Sequence, residues 1–241
     1  MKKLSIILRL SVFALFLMAG SANAITLTWD VDHSNFWPGW GNGSGDDLKD
    51  ATGTPDFISG TAEITGGYLT NLTFEIKAKA YLGLWDILMP ADLFIDANAD
   101  GTWDYVVDLI TANFTVGDHN LYSINQPLNG SEYLMSAMPG YGYREDHPIG
   151  FEGGALVDNV TFSGWPSKPQ DTTTSVYASF AFGEDDIHLW DSSFIIGWTV
   201  QCANDVVYEE LPNPVPEPAT VLLFSSGLIG LTGLRRKFRK K

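Results

Sequence analysis

Residues 73–80 read Thr-Phe-Glu-Ile-Lys-Ala-Lys-Ala, an apolar–polar alternation with a period of two. In an extended strand successive side chains leave on opposite faces. This run therefore sets Glu75, Lys77 and Lys79 against Phe74 and Ile76, a division no helix reproduces. Similar stretches, rich in β-branched and aromatic residues, occur at 25–31, 57–64, 68–81, 91–95, 105–111, 155–162, 175–182 and 194–201, and each reads as a strand. Asn42-Gly43, Gly66-Gly67 and Gly153-Gly154 punctuate them as turns. No stretch before residue 219 carries a long helical period. The expected fold is all-β: an antiparallel two-sheet sandwich, jelly-roll-like, over residues 25–211.

Composition narrows the class. Of 241 residues, 45% are apolar, too many for a disordered chain. The 24 glycines and 12 prolines lack the period of collagen. Charge is unevenly distributed. Lys2, Lys3 and Arg9 lie at the start, and Arg235, Arg236, Lys237, Arg239, Lys240 and Lys241 at the end. Between them, residues 25–215 hold five basic against 28 acidic residues, a net of −23. Such a body repels phosphate backbones, which argues against a nucleic-acid partner, and attracts divalent cations. Cys202 is the only cysteine, so no intrachain disulfide can form.

The two ends read as addresses. Residues 1–24 combine a basic start, a short apolar run at 10–19 and Ala22-Asn23-Ala24, the pattern of a secretory signal peptide cleaved before Ile25. At the other end, residues 212–218 form a Pro-rich linker, 219–234 are uncharged, and 235–241 are densely basic. Sixteen helical residues reach about 24 Å, short of the ~30 Å hydrocarbon core, and snorkelling Arg235, Arg236 and Lys237 make up the deficit. A transmembrane helix with a cytoplasmic basic tail, and a body exported to the other side, is expected.

Val215-Pro216-Glu217-Pro218-Ala219-Thr220, the apolar span containing Ser225-Ser226-Gly227-Leu228-Ile229-Gly230-Leu231, and the arginine cluster together resemble the PEP-CTERM sorting signal of Gram-negative bacteria. The resemblance implies recognition by an exosortase, a membrane cysteine protease-transpeptidase, near Pro216-Glu217-Pro218. It also implies a host that makes extracellular polysaccharide, with the protein first anchored in the membrane and then placed on the surface or in the extracellular matrix. Residues 93–104 and 194–206 resemble recurrent stretches of other PEP-CTERM proteins, which suggests a shared β-domain.

The segment Asp96-Ala97-Asn98-Ala99-Asp100-Gly101-Thr102-Trp103-Asp104 carries oxygen-bearing side chains at alternate positions and then a glycine. Calcium takes six to eight oxygen ligands in a flexible cage. Asp96, Asn98 and Asp100 would supply side-chain oxygens, Thr102 its carbonyl, and Asp104 a direct or water-mediated ligand. The twelfth position of a helical calcium hand needs Glu and here is Val107, so the loop is read on a β-hairpin. The same residues also make an ordinary polar turn without an ion.

Other clusters invite chemistry. Arg144-Glu145-Asp146-His147 and Glu184-Asp185-Asp186 with His188 and Asp191 each group titratable side chains, as does His33 near Asp30 and Asp32. Solvated loops with local ion pairs are the favoured reading of the first two, the third is ambiguous, and Cys202 reads as a packed strand residue. Residues 155–162, with Asp158-Asn159-Val160, resemble a strand of jelly-roll carbohydrate-binding modules. No nucleophile elbow, metalloprotease helix or phosphate-binding glycine loop occurs. The expectation is a non-catalytic exported protein. The alternatives are a calcium-stabilised carbohydrate-binding module, in which exposed Trp and Tyr stack on sugar faces, and a glycoside hydrolase with two facing carboxylates.

Overall fold

A computed structural model of the chain describes residues 24–31, 56–79, 89–111, 115–127, 133–135, 148–165, 171–201, 203 and 205–214. The expected signal peptide apart from Ala24, the Pro216-Glu217-Pro218 motif, the expected membrane span and the basic tail lie outside them, as do Cys202, His33 and residues 143–147. Among the described residues there is no helix, and hence none long and apolar enough to cross a membrane. The expected all-β antiparallel architecture is borne out.

The described residues form twelve strands: β1 (Ala24–Asp30), β2 (Asp56–Thr65), β3 (Tyr68–Lys79), β4 (Leu93–Asp96), β5 (Thr102–Val107), β6 (Gly117–Pro127), β7 (Tyr133–Met135), β8 (Pro148–Phe151), β9 (Ala155–Ser163), β10 (Asp171–Ala181), β11 (Ser193–Thr199) and β12 (Val206–Pro212). Ten of them form one sheet in the order β1-β2-β3-β10-β9-β6-β5-β4-β11-β12, and β7 pairs with β8 in a second, small sheet. Every strand pair is antiparallel. The two layers of the sandwich are thus the two halves of one curled sheet, joined where β9 pairs with β6.

Trp198 of β11 shows the curl. Its ring centroid lies 4.7 Å from that of Phe74 in β3 and 5.0 Å from those of Phe57 in β2 and Phe180 in β10. These strands are far apart in the sheet order, so they meet only because the sheet folds over. The indole Nε1 donates to the Ala91 carbonyl at 2.9 Å, which satisfies the one polar atom of a fully buried ring. The alternation of β3 behaves as its sequence requires: Leu72, Phe74 and Ile76 are buried while Lys77 is exposed.

β4 and β11 are buried along nearly their whole length. The inner face, with Leu93, Ile95, Phe194 and Ile196, joins the main core, and the outer face, with Phe94 and Ile195, joins a second cluster that contains Trp103, Tyr133 and Phe151. The β7–β8 sheet supplies the cover: Tyr133 packs edge-on against Phe94 at 5.7 Å and Phe151 at 5.8 Å. A register shift between Trp103 and Tyr105 explains how one strand serves both cores. The bulge puts Trp103 and Val106 outward but Tyr105 and Val107 inward.

Candidate functional site

The loop joining β4 to β5 is the segment read as a cation loop, and the structure closes it upon itself. The buried Asp96 carboxylate accepts hydrogen bonds from the backbone N–H groups of Asn98 (3.3 Å), Asp100 (3.3 Å) and Gly101 (2.9 Å). Asp100 accepts from the Thr102 N–H at 2.9 Å and from the Asn98 amide at 3.1 Å. Asp104 accepts from the Ala97 N–H at 2.8 Å, across the mouth of the turn. The sharp reversal needs positive φ at Ala99 (53°) and Gly101 (87°); only the glycine adopts this without a steric penalty.

Five of the sequence-predicted positions therefore share one turn. Burial raises the Asp96 pKa, with Asp100 adding repulsion, and pushes Asp104 up to about 6, with Asp96 and Asp100 adding to the effect. Backbone N–H donors act against each shift. Among the described residues no three Asp, Glu, His or Cys side chains converge in an arrangement that could hold a metal ion.

The acidic cluster at 184–191 separates in space. Asp186 turns back to accept from the Gly183 N–H at 2.7 Å, whereas Glu184, Asp185 and Asp191 are exposed. His188 faces elsewhere: it bridges Tyr68 in an isolated antiparallel pair, and the two rings meet edge-on at 4.8 Å. Trp190 follows on the same side, its ring 6.0 Å from that of His188 and tilted by 50°. The segment is pinned by Leu69 N–H to Ile187 carbonyl (2.9 Å), Leu189 N–H to Gly67 carbonyl (2.9 Å) and Trp190 N–H to Ala97 carbonyl (3.3 Å). The result is an aromatic file, Tyr68–His188–Trp190, beside the 96–104 loop. The indole at its end is 55% exposed. This file was not foreseen from the residues. The available signal was the i, i+2 spacing of His188 and Trp190, which puts both on one side of an extended segment.

Two further buried carboxylates hold the sandwich together. Asp92 is fully buried and accepts from the N–H groups of Leu109 (2.8 Å), Ile110 (2.9 Å) and Phe151 (3.1 Å). It ties the segment before β4 to the end of β5 and to β8. Desolvation outweighs these donors and pushes its pKa up to about 7, with the Asp108 charge adding to the rise. Asp205 accepts from the Phe57 N–H at 2.7 Å and so joins two segments 148 residues apart. A cleft of about 350 Å³ at the β1–β2 edge is lined by Thr28, Trp29, Asp30, Ser59, Gly60 and Thr61, and in it no two carboxylates face one another.

The family model described as the PEP-CTERM protein-sorting motif matches residues 214–237. The chain carries this motif and is an exosortase substrate, exported across the membrane and sorted to the cell surface. The match covers the tail and leaves the sandwich unassigned. No curated protein and no solved structure matches the chain.

Proposed function

We propose that this is a non-catalytic envelope or matrix protein of a Gram-negative bacterium. Its sandwich is displayed outside the inner membrane and associates with extracellular polysaccharide after exosortase has processed the tail. The sorting motif at 214–237 carries the reading. In this scheme a signal peptide over residues 1–24 starts export, residues 219–234 hold the chain in the membrane, and Arg235, Arg236 and Lys237 stop it. Val215, Pro216, Glu217 and Pro218 present a stiff segment at the outer face for cleavage. Ile25, the expected mature N-terminus, lies at the second position of β1, so cleavage there leaves the strand nearly whole.

Fractionation and intact mass test the proposal together. Deleting residues 216–241 should release the body to the periplasm or medium, and the mature full-length protein should lose its tail mass only in a host with exosortase. A truncated chain still held in the membrane, or a mass that ignores the exosortase, defeats it.

Calcium in the 96–104 loop is a second reading: the carboxylates do not converge on one point in the self-bonded turn and would have to exchange backbone hydrogen bonds for the ion, but one observation favours it. The Asp100 charge adds to the rise at Asp96, and the Asp96 and Asp100 charges add to the rise at Asp104; a divalent cation would relieve that repulsion. The ion would stiffen the hairpin next to the aromatic file.

A further inference from the structure

We propose that the file Tyr68–His188–Trp190 is a binding subsite for an uncharged sugar ring, with the exposed indole of Trp190 as its stacking platform. The proposal deepens the polysaccharide association above and rests on it.

A single exposed aromatic residue is unremarkable on a protein surface. Trp190 differs in how it is held. Its own N–H is bonded to the Ala97 carbonyl, the neighbouring Leu189 is 3% exposed, and the Leu189 N–H is bonded to Gly67. Its ring rests near His188, and His188 rests on Tyr68. The indole is therefore presented by an ordered segment rather than waving from a loop tip, which lowers the entropy lost when a ligand covers it. The face of an indole is apolar and electron-rich, and the axial C–H groups of a pyranose meet such a face well.

Charge selects the class of sugar. Among the described residues, the segments that carry the file or are hydrogen-bonded to it, 66–69, 96–104, 183–192 and 212–214, contain no Lys or Arg. They present exposed Asp100, Glu184, Asp185 and Asp191. Carboxylates and the Asn98 amide accept hydrogen bonds from hydroxyl groups, but the same charges repel uronates, sulfated sugars and phosphates. An uncharged polyol with one apolar face fits both conditions; a nucleotide or an acidic polysaccharide does not.

The test uses the full-length mature protein in detergent. Cellohexaose, laminarihexaose and mannohexaose serve as neutral probes and hexaguluronate as the anionic one, with tryptophan fluorescence and calorimetry as readouts. The native chain should bind at least one neutral hexasaccharide, with a blue shift as the indole is covered, and should not bind hexaguluronate. Trp190→Ala should weaken binding at least about tenfold with an unchanged melting curve, and Trp190→Phe should retain most of it. No binding to any neutral probe, equal binding by Trp190→Ala, or a preference for hexaguluronate overturns the subsite. Co-sedimentation with the host's own polysaccharide separates the two levels. If native chain and Trp190→Ala sediment alike, the subsite is wrong and the association stands. If the native chain does not sediment, the association itself fails.

Discussion

The carboxylate of Asp92 occupies the space that a side chain on residue 150 would need. A Cβ placed on Gly150 would come within 2.6 Å of Asp92 Oδ2 and within 2.6 Å of the Ile110 Cδ1 methyl. Asp92 is held there by three backbone N–H groups from two separate segments, so it has nowhere to retreat. The glycine in β8 is thus a condition for the buried carboxylate, and the carboxylate is what fastens β8 to the sandwich.

Gly150→Ala should therefore destabilise the body by ~1–3 kcal/mol, the usual cost of overpacking a filled interior. Urea unfolding of the two proteins measures it. A midpoint equal to that of the native chain would show that Asp92 can yield.

Stability should rise as pH falls from about 8 to about 5.5. Burial lifts the Asp92 pKa from 3.8 to about 7, so the folded chain binds the proton more readily than the unfolded one. That contribution is complete below the unfolded value and is lost as pH rises through about 7. Each pK unit corresponds to ~1.4 kcal/mol. Asp104, raised to about 6, works in the same direction over a narrower window. Asp92→Asn should lower the melting temperature and flatten much of the slope. A melting temperature that climbs toward alkaline pH in the native protein would contradict the assignment.

At the β1–β2 edge, Trp29 and Gly60 are register partners, and a Cβ on Gly60 would fall 2.1 Å from Trp29 Cζ2. Gly60→Ala should drive the indole off its partner and loosen the first strand at a cost of ~1–3 kcal/mol. Hydrogen exchange should quicken along residues 24–30 before it does in β3. Unchanged protection there would mean that the ring has another resting place.

Calcium should raise the melting temperature of the native protein, and Asp96→Ala with Asp100→Ala should abolish the rise. Ligand at 100 times its dissociation constant stabilises by ~2.7 kcal/mol, well within the range of a thermal melt. Identical melts in calcium and in chelator would leave the loop as a self-bonded turn.

Local chemistry made much of this protein readable before any coordinates. Period-two alternation located β1, β2, β3, β9, β10 and β11 to within a few residues, and Gly66-Gly67 forms its turn with φ of 62° and 89°. β6 was not visible because its sequence, Gly-Asp-His-Asn-Leu-Tyr-Ser-Ile-Asn-Gln-Pro, buries little beyond His119 and Leu121. Its place is set by pairing with β5 and β9, not by propensity. β12, with Glu209, Glu210 and Pro212 near its end, has the composition of an edge strand. The stretch at 105–111 was read too late: β5 begins at Thr102 and ends at Val107, because the bulge breaks the alternation that marks a strand.

The order of residues alone determined the all-β class and most of its long strands, the acidic body, the turn at 96–101 and the sorting tail, since each depends on neighbours a few positions apart. Only the tertiary structure decided that one sheet curls so that Trp198 meets Phe57 and Phe74, that Asp92 lies buried beside Gly150, and that His188 leaves its acidic neighbours to join Tyr68 and Trp190. Those pairings join segments separated by tens to more than a hundred residues. Long-range packing chooses among the many partners that local preference leaves open.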